Sequence, residues 1–190
     1  MSQATSMDFS NPTIQILIAL LVLIVAGGIV VYAMQRKKTH SLELRKQFGA
    51  EYERELARQG SLTKAESALA ARQARVEKLT LHPLPAAQRD RFIADWHTVQ
   101  SRFVDHPKGS LIEADELVAS LMKARGYPVN GFDQTAEDIS VTHPGIVDHY
   151  RSAHAIAVRP ATSEANTEEL RSAMIEYRTL FDELVQTTAA

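Results

Sequence analysis

The chain has 190 residues, 45% of them apolar, and no cysteine. That leaves room for one ordinary domain beyond any membrane segment. It also excludes disulfides, thiolate zinc sites and cysteine nucleophiles, and fits a reducing compartment. The formal charge of −2 hides a division: residues 35–91 carry 13 Lys/Arg against 7 Asp/Glu, and residues 92–190 carry 8 against 15. The large acidic part repels phosphate, so nucleic acid is not an expected partner.

From Ile14 to Met34 the sequence IQILIALLVLIVAGGIVVYAM is almost unbroken in its apolarity, with Gln15 at its edge. At about 1.5 Å per residue such a run crosses a hydrocarbon core of ~30 Å. The tail before it, residues 1–13, has Asp8 as its one charged side chain, whereas Arg36, Lys37, Lys38, Arg45 and Lys46 follow. The positive-inside bias puts the C-terminal part in the cytoplasm and the tail outside. These five cations are the topology and lipid-facing candidates, attracted to an anionic leaflet by about 1 kcal/mol each. A cleaved signal peptide fits less well, because a basic n-region is missing and Ile29-Val30-Val31 continue past the small residues Ala26-Gly27-Gly28. The two glycines form no small-xxx-small pair. Tyr32 suits an aromatic interface anchor.

Helix signals recur through the remainder. Ser41 to Gln59 carries Leu44, Phe48, Tyr52 and Leu56 at four-residue steps, weakened by Gly49. Lipid contact by Phe48 and Leu56 is opposed by Glu51, Glu53 and Glu55. After Gly60-Ser61, Thr63 and Glu66 have capping-box spacing. Leu62, Ala65, Leu69, Val76 and Leu79 then form an apolar row that includes Arg72, which must meet a carboxylate or snorkel. His82-Pro83-Leu84-Pro85 is an internal boundary.

A helix with Phe92, Trp96, Val99 and Phe103 on one face follows, from about Ala86 to Val104. Asp105-His106-Pro107 opens the next, which ends at Arg125-Gly126-Tyr127-Pro128. Asn130-Gly131 marks a turn, and Ala136 to Ile139 reads as a single helical turn. Thr142-His143-Pro144 reads as the start of a helix with Val147, Tyr150, His154 and Ala157 in register. Residues 160–165 read as a loop. Asn166 and Glu169 have capping-box spacing for a last helix with Leu170, Met174, Tyr177, Phe181 and Leu184. Residues 186–190 read as frayed. The expected fold is all-α: a tail (1–13), one transmembrane helix (14–34), a basic juxtamembrane helical pair (35–82) and an acidic bundle of about four helices (83–190).

The segments LRKQFGAEYERELARQG (44–60), AESALAARQAR (65–75), RDRFIADWHTVQSRFVDHP (89–107), ADELVASLMKARGYP (114–128) and SVTHPGIVDHYRSAHAI (140–156) are similar to an uncharacterised bacterial family of helical proteins. Members of that family, many with one N-terminal membrane anchor, are labelled hypothetical, secreted or membrane proteins. The resemblance implies a bacterial, helical, anchored protein and supplies no activity or site residue.

No nucleophile elbow, phosphate-binding glycine loop, HExxH or EF-hand loop is present. The seven histidines are the place to look for chemistry, and His143, His149, Tyr150 and His154 form the candidate polar cluster, with Asp138 and Asp148 nearby. His149 and His154 are five residues apart and diverge by about 140° on a helix, a poor spacing for chelation. The expected function is a cytoplasmic-side protein-interaction or scaffolding module without cofactor, its partners being the bilayer and a protein or a second copy. The alternative is a membrane-tethered enzyme or metal-binding domain using the Asp138–His154 region.

Overall fold

The computed structural model describes residues 12–160 and 165–186; for residues 12–14, 17, 18, 30, 33 and 37, only the backbone is described. Most of the expected tail, the loop at 161–164 and the frayed end at 187–190 therefore lie outside the described residues. Among the described residues there are eight helices and no strand: α1 (Pro12–Phe48), α2 (Ala50–Gln59), α3 (Leu62–Val76), α4 (Ala86–Arg102), α5 (Pro107–Ala124), α6 (Phe132–Thr142), α7 (Val147–Ala157) and α8 (Thr167–Gln186).

Two units emerge, residues 1–44 and residues 45–190, and α1 contributes to both. In the first, α1 is long and apolar enough to cross a membrane, and none of its most apolar stretch is buried within the protein. Leu20, Leu23, Ile24 and Ile29 are all more than half exposed. So much uncovered apolar surface is unfavourable in water and not in hydrocarbon, where the helix satisfies its own backbone hydrogen bonds.

The second unit begins with the end of α1. The sequence pattern predicts a separate helix from Ser41 to Gln59; instead α1 continues unbroken to Phe48 and the chain breaks at Gly49. Gly49 has φ +53°, a conformation that side chains with a Cβ resist, so the apolar stripe is divided between α1 and α2. α2 and α3 form a hairpin joined through Gly60, which has φ +62°. Ser61, not Thr63, stands at the N-cap of α3, and Glu66 accepts a hydrogen bond from the Tyr52 hydroxyl at 2.9 Å, so the expected capping box does not form.

In the bundle, α8 packs on α5 and α7, α5 on α4 and α7, and α6 on α7. Its core is one continuous cluster that includes Trp96, Leu111, Leu121, Ile139, Tyr177 and Phe181. Trp96 stacks on Phe181 with ring centroids 4.7 Å apart, which places it in the core as its helical spacing implies. The linker between α3 and α4 is fixed to the bundle: Leu79, Leu81 and Leu84 pack against the core, and the His82 amide donates to the Arg125 carbonyl at 3.2 Å. The prolines at 83 and 85 thus lie inside the compact unit.

Local signals succeed where a side chain closes its own turn. The Asn166 side chain accepts from the Glu169 amide and the Glu169 carboxylate from the Asn166 amide, both at 2.9 Å, completing the capping box of α8. They fail where tertiary contact decides. α6 spans eleven residues rather than one turn, because Ala136, Ile139 and Thr135 are buried by neighbouring helices. Thr142 then ends α6 instead of capping a new helix, and α7 starts at Val147 after a turn closed by the Ile146 amide on the His143 carbonyl at 3.2 Å. At α5 the N-cap is His106, with Pro107 as the first helical residue.

Candidate functional site

The four residues of the candidate histidine cluster separate into different environments. His149 is exposed on the first turn of α7. His143 lies at the C-cap of α6, its side chain largely buried, with Nδ1 3.4 Å from Glu183 Oε1 of α8. Tyr150 and His154 do come together around Phe132: the imidazole stacks on that ring at 3.7 Å, and Tyr150 tilts against it at 4.9 Å. The organising group is Asp115 on α5, which the sequence does not single out. Its carboxylate meets His154 Nδ1 at 3.1 Å and accepts a hydrogen bond from Tyr177 at 2.7 Å. Burial and the Asp115 charge push both tyrosine hydroxyls well above their ordinary titration range. An aspartate that holds Nδ1 orients the imidazole and leaves Nε2 as its second nitrogen, a geometry used in both structural clusters and general-base pairs. Among the described residues no group of three or more His, Asp or Glu is placed to hold a metal ion.

His143 titrates against burial, which holds its imidazole below the usual value near 6.5; the Arg125 charge adds to this and Glu183 opposes it. The unfolded chain therefore takes up the proton first. Stability contributed by neutral His143 is complete above about pH 6.5 and declines as the pH falls from there towards the lowered folded value. Urea unfolding of the full-length chain, followed through the single tryptophan, is expected to have a lower midpoint at pH 5.5 than at pH 7.5, with a smaller difference in His143→Gln.

The densest chemistry lies on the hairpin. Arg72, 3% exposed, is the cation that the sequence places in an apolar row, and it meets carboxylates rather than snorkelling. It donates to Glu55 at 2.5 Å and Glu51 at 3.3 Å, both on α2 and both 1% exposed, and to Glu137 on α6 at 3.1 Å. Arg75 donates to buried Asp138 at 2.7 Å and to Glu137 at 3.2 Å. Glu51 also accepts from Arg151 of α7, Arg58 pairs with Glu55 and Glu137, and Arg54 pairs with Asp148 at 2.9 Å. Five arginines and five carboxylates thus compensate one another.

Burial raises the Glu55 carboxyl, but hydrogen bonds from Arg58 and Gln59 and the charges of Arg72 and Arg58 bring it net below the usual range. Burial depresses the Arg75 guanidinium, and Asp138 and Glu137 more than restore it. Between these groups lies a polar cleft of about 280 Å³, with Asp133 on its wall. A second cleft, about 480 Å³ between α4 and α8, has Ile93, Trp96, Phe181 and Val185 among its lining residues.

Of the topology candidates, Arg36, Lys38 and Lys46 are exposed, while the Lys37 side chain is outside the described residues. Arg45 is paired with Glu53 at 3.0 Å and lies 5.1 Å from the centre of the Tyr52 ring. Phe48 is fully buried, so it is not available to enter a lipid interface. The signal that pointed to the ion network was Arg72 alone; its partners are ordinary surface-like glutamates in the sequence. The chain matches no protein-family model, no curated protein and no solved structure.

Proposed function

We propose that this chain is a single-pass protein of the bacterial inner membrane, its N-terminus outside and its helical unit at the cytoplasmic face, which acts by protein–protein contact. The reading extends to membership of the uncharacterised helical family whose sequence segments it resembles. The observation that carries it is α1: its most apolar stretch is not buried within the protein, Arg36, Lys37 and Lys38 follow that stretch within the same helix, and the chain continues into a compact unit of residues 45–190. In this reading α2 and α3 are the juxtamembrane pair.

Fusions of a fluorescent protein and of alkaline phosphatase to the C-terminus test the topology. Fluorescence without phosphatase activity is expected, and the reverse pattern overturns the orientation. Self-association through the basic and acidic halves would compete with the pairing of Arg54, Arg58, Arg72 and Arg75 with Asp148, Glu137 and Asp138 within one chain. Sedimentation of the full-length chain in detergent at low and high salt addresses it directly.

The second reading is a tethered enzyme centred on His154 rather than on the wider histidine stretch. The carboxylate-oriented imidazole favours it. It requires His154→Asn to abolish cellular function while leaving the unfolding midpoint unchanged.

A further inference from the structure

We infer that the α2–α3 hairpin is held to the bundle as an ionic latch, able to swing away while both parts stay folded. The bundle core is one apolar cluster drawn from α4 to α8 and the linker, and the buried apolar residues of the hairpin, Tyr52, Ala65, Leu69 and Val76, lie outside it. α3 packs on α6, and the pairs at this junction are ionic: Arg72, Arg75 and Arg58 on Glu137, Arg75 on Asp138, Arg54 on Asp148, and Arg151 on Glu51.

The two kinds of ion pair differ in burial. Those inside the hairpin, Arg72 with Glu51 and Glu55, are almost fully enclosed. Across the junction, the pairs made by Arg54, Arg58 and Arg75 have a partner open to water, at 50%, 56% and 35% exposure, whereas Arg72 with Glu137 and Arg151 with Glu51 are more enclosed. Salt screens exposed pairs and spares enclosed ones, because the Debye length falls to about 3 Å at 1 M. High salt therefore loosens the junction before it loosens the hairpin.

The backbone supplies a pivot at each end. Gly49 with φ +53° precedes α2, and a turn at Glu77 and Lys78 follows α3, just before the linker is fixed by the packing of Leu79 and the His82–Arg125 hydrogen bond. Motion of two packed bodies about such terminal residues is a recognised switching geometry. Glu137 is the hub, since it forms ion pairs with three hairpin arginines and accepts hydrogen bonds from two of them, Arg72 and Arg75.

The chain has no cysteine, so introduced pairs can be spin-labelled selectively in the full-length protein in detergent. Exposed Lys64 on α3 and Ser152 on α7, each changed to Cys, report the junction; exposed Ser120 on α5 and Ser172 on α8 report the bundle. Between 50 mM and 1 M NaCl the Lys64/Ser152 distance is expected to gain a longer component, at least tenfold more populated at high salt, while Ser120/Ser172 stays fixed. Glu137→Gln is expected to produce that component at 50 mM. Parallel shifts of both pairs, or no shift in either, overturn the latch. The salt series on the labelled wild-type network decides the matter even if Glu137→Gln fails to fold.

Discussion

Replacing Arg72 by alanine is expected to destabilise the hairpin by about 3–5 kcal/mol, the range for removing one partner of a buried ion pair. The cost comes from what remains. Glu51 and Glu55 are each 1% exposed, and Arg72 supplies charge to both and reaches Glu137 as well. Without it the carboxylates must stay charged in a poorly solvated place or take up protons, and either choice opposes folding. Arg151 still serves Glu51 and Arg58 still serves Glu55, which keeps the loss inside that range. Amide exchange of α2 and α3 in the full-length protein is the measurement, with protection falling roughly 10²–10⁴-fold, the same free energy expressed as an equilibrium. Adding Glu55→Gln to R72A removes a buried charge that keeps only Arg58 as its cation and is expected to recover part of the loss. Unchanged protection in R72A would show that Arg72 is not the keystone of the hairpin.

Gly126→Ala is expected to cost roughly 2–6 kcal/mol, combining backbone strain of about 1–3 kcal/mol with overpacking of similar size. Gly126 has φ +96°, and a Cβ there would lie 2.4 Å from the Thr80 carbonyl oxygen. That oxygen is backbone, in a linker already fixed by neighbouring leucines, so it has little freedom to retreat. The glycine also completes the end of α5, where its amide donates to the Lys123 carbonyl at 3.0 Å and the Tyr127 amide to the Met122 carbonyl at 3.1 Å. This pair of bonds is the Schellman arrangement, which depends on a residue with positive φ after the helix. Urea unfolding followed by Trp96 emission reads the effect, because that indole sits in the bundle core. Gly109→Ala is the control. Gly109 lies within α5, and an alanine methyl there would have nothing within 4 Å, so the change is expected to be neutral or stabilising by up to about 1 kcal/mol. Equal losses at both positions would remove the steric explanation.

By itself the sequence determined the apolar helix, the all-α class and those ends whose stop or start is written within a few residues. Asn166 with Glu169 and Arg125 with Gly126 are of this kind, since each closes hydrogen bonds with its own turn. It also required that Arg72 find an anionic partner. Which partner was a tertiary decision: Arg72 reaches Glu137 across 65 positions, Arg75 reaches Asp138 across 63, and Arg151 reaches Glu51 across 100. Periodicity reports the face a residue occupies on its own helix and is silent on the face it meets. A buried glutamate such as Glu51 is therefore written like its solvated neighbour Glu53. The same limit hid α6, whose helical length rests on burial by neighbours, and Asp115, which gathers His154 and Tyr177 from two other helices. Local propensity is short-ranged, whereas ion pairing and core burial act only once distant segments have been brought into contact.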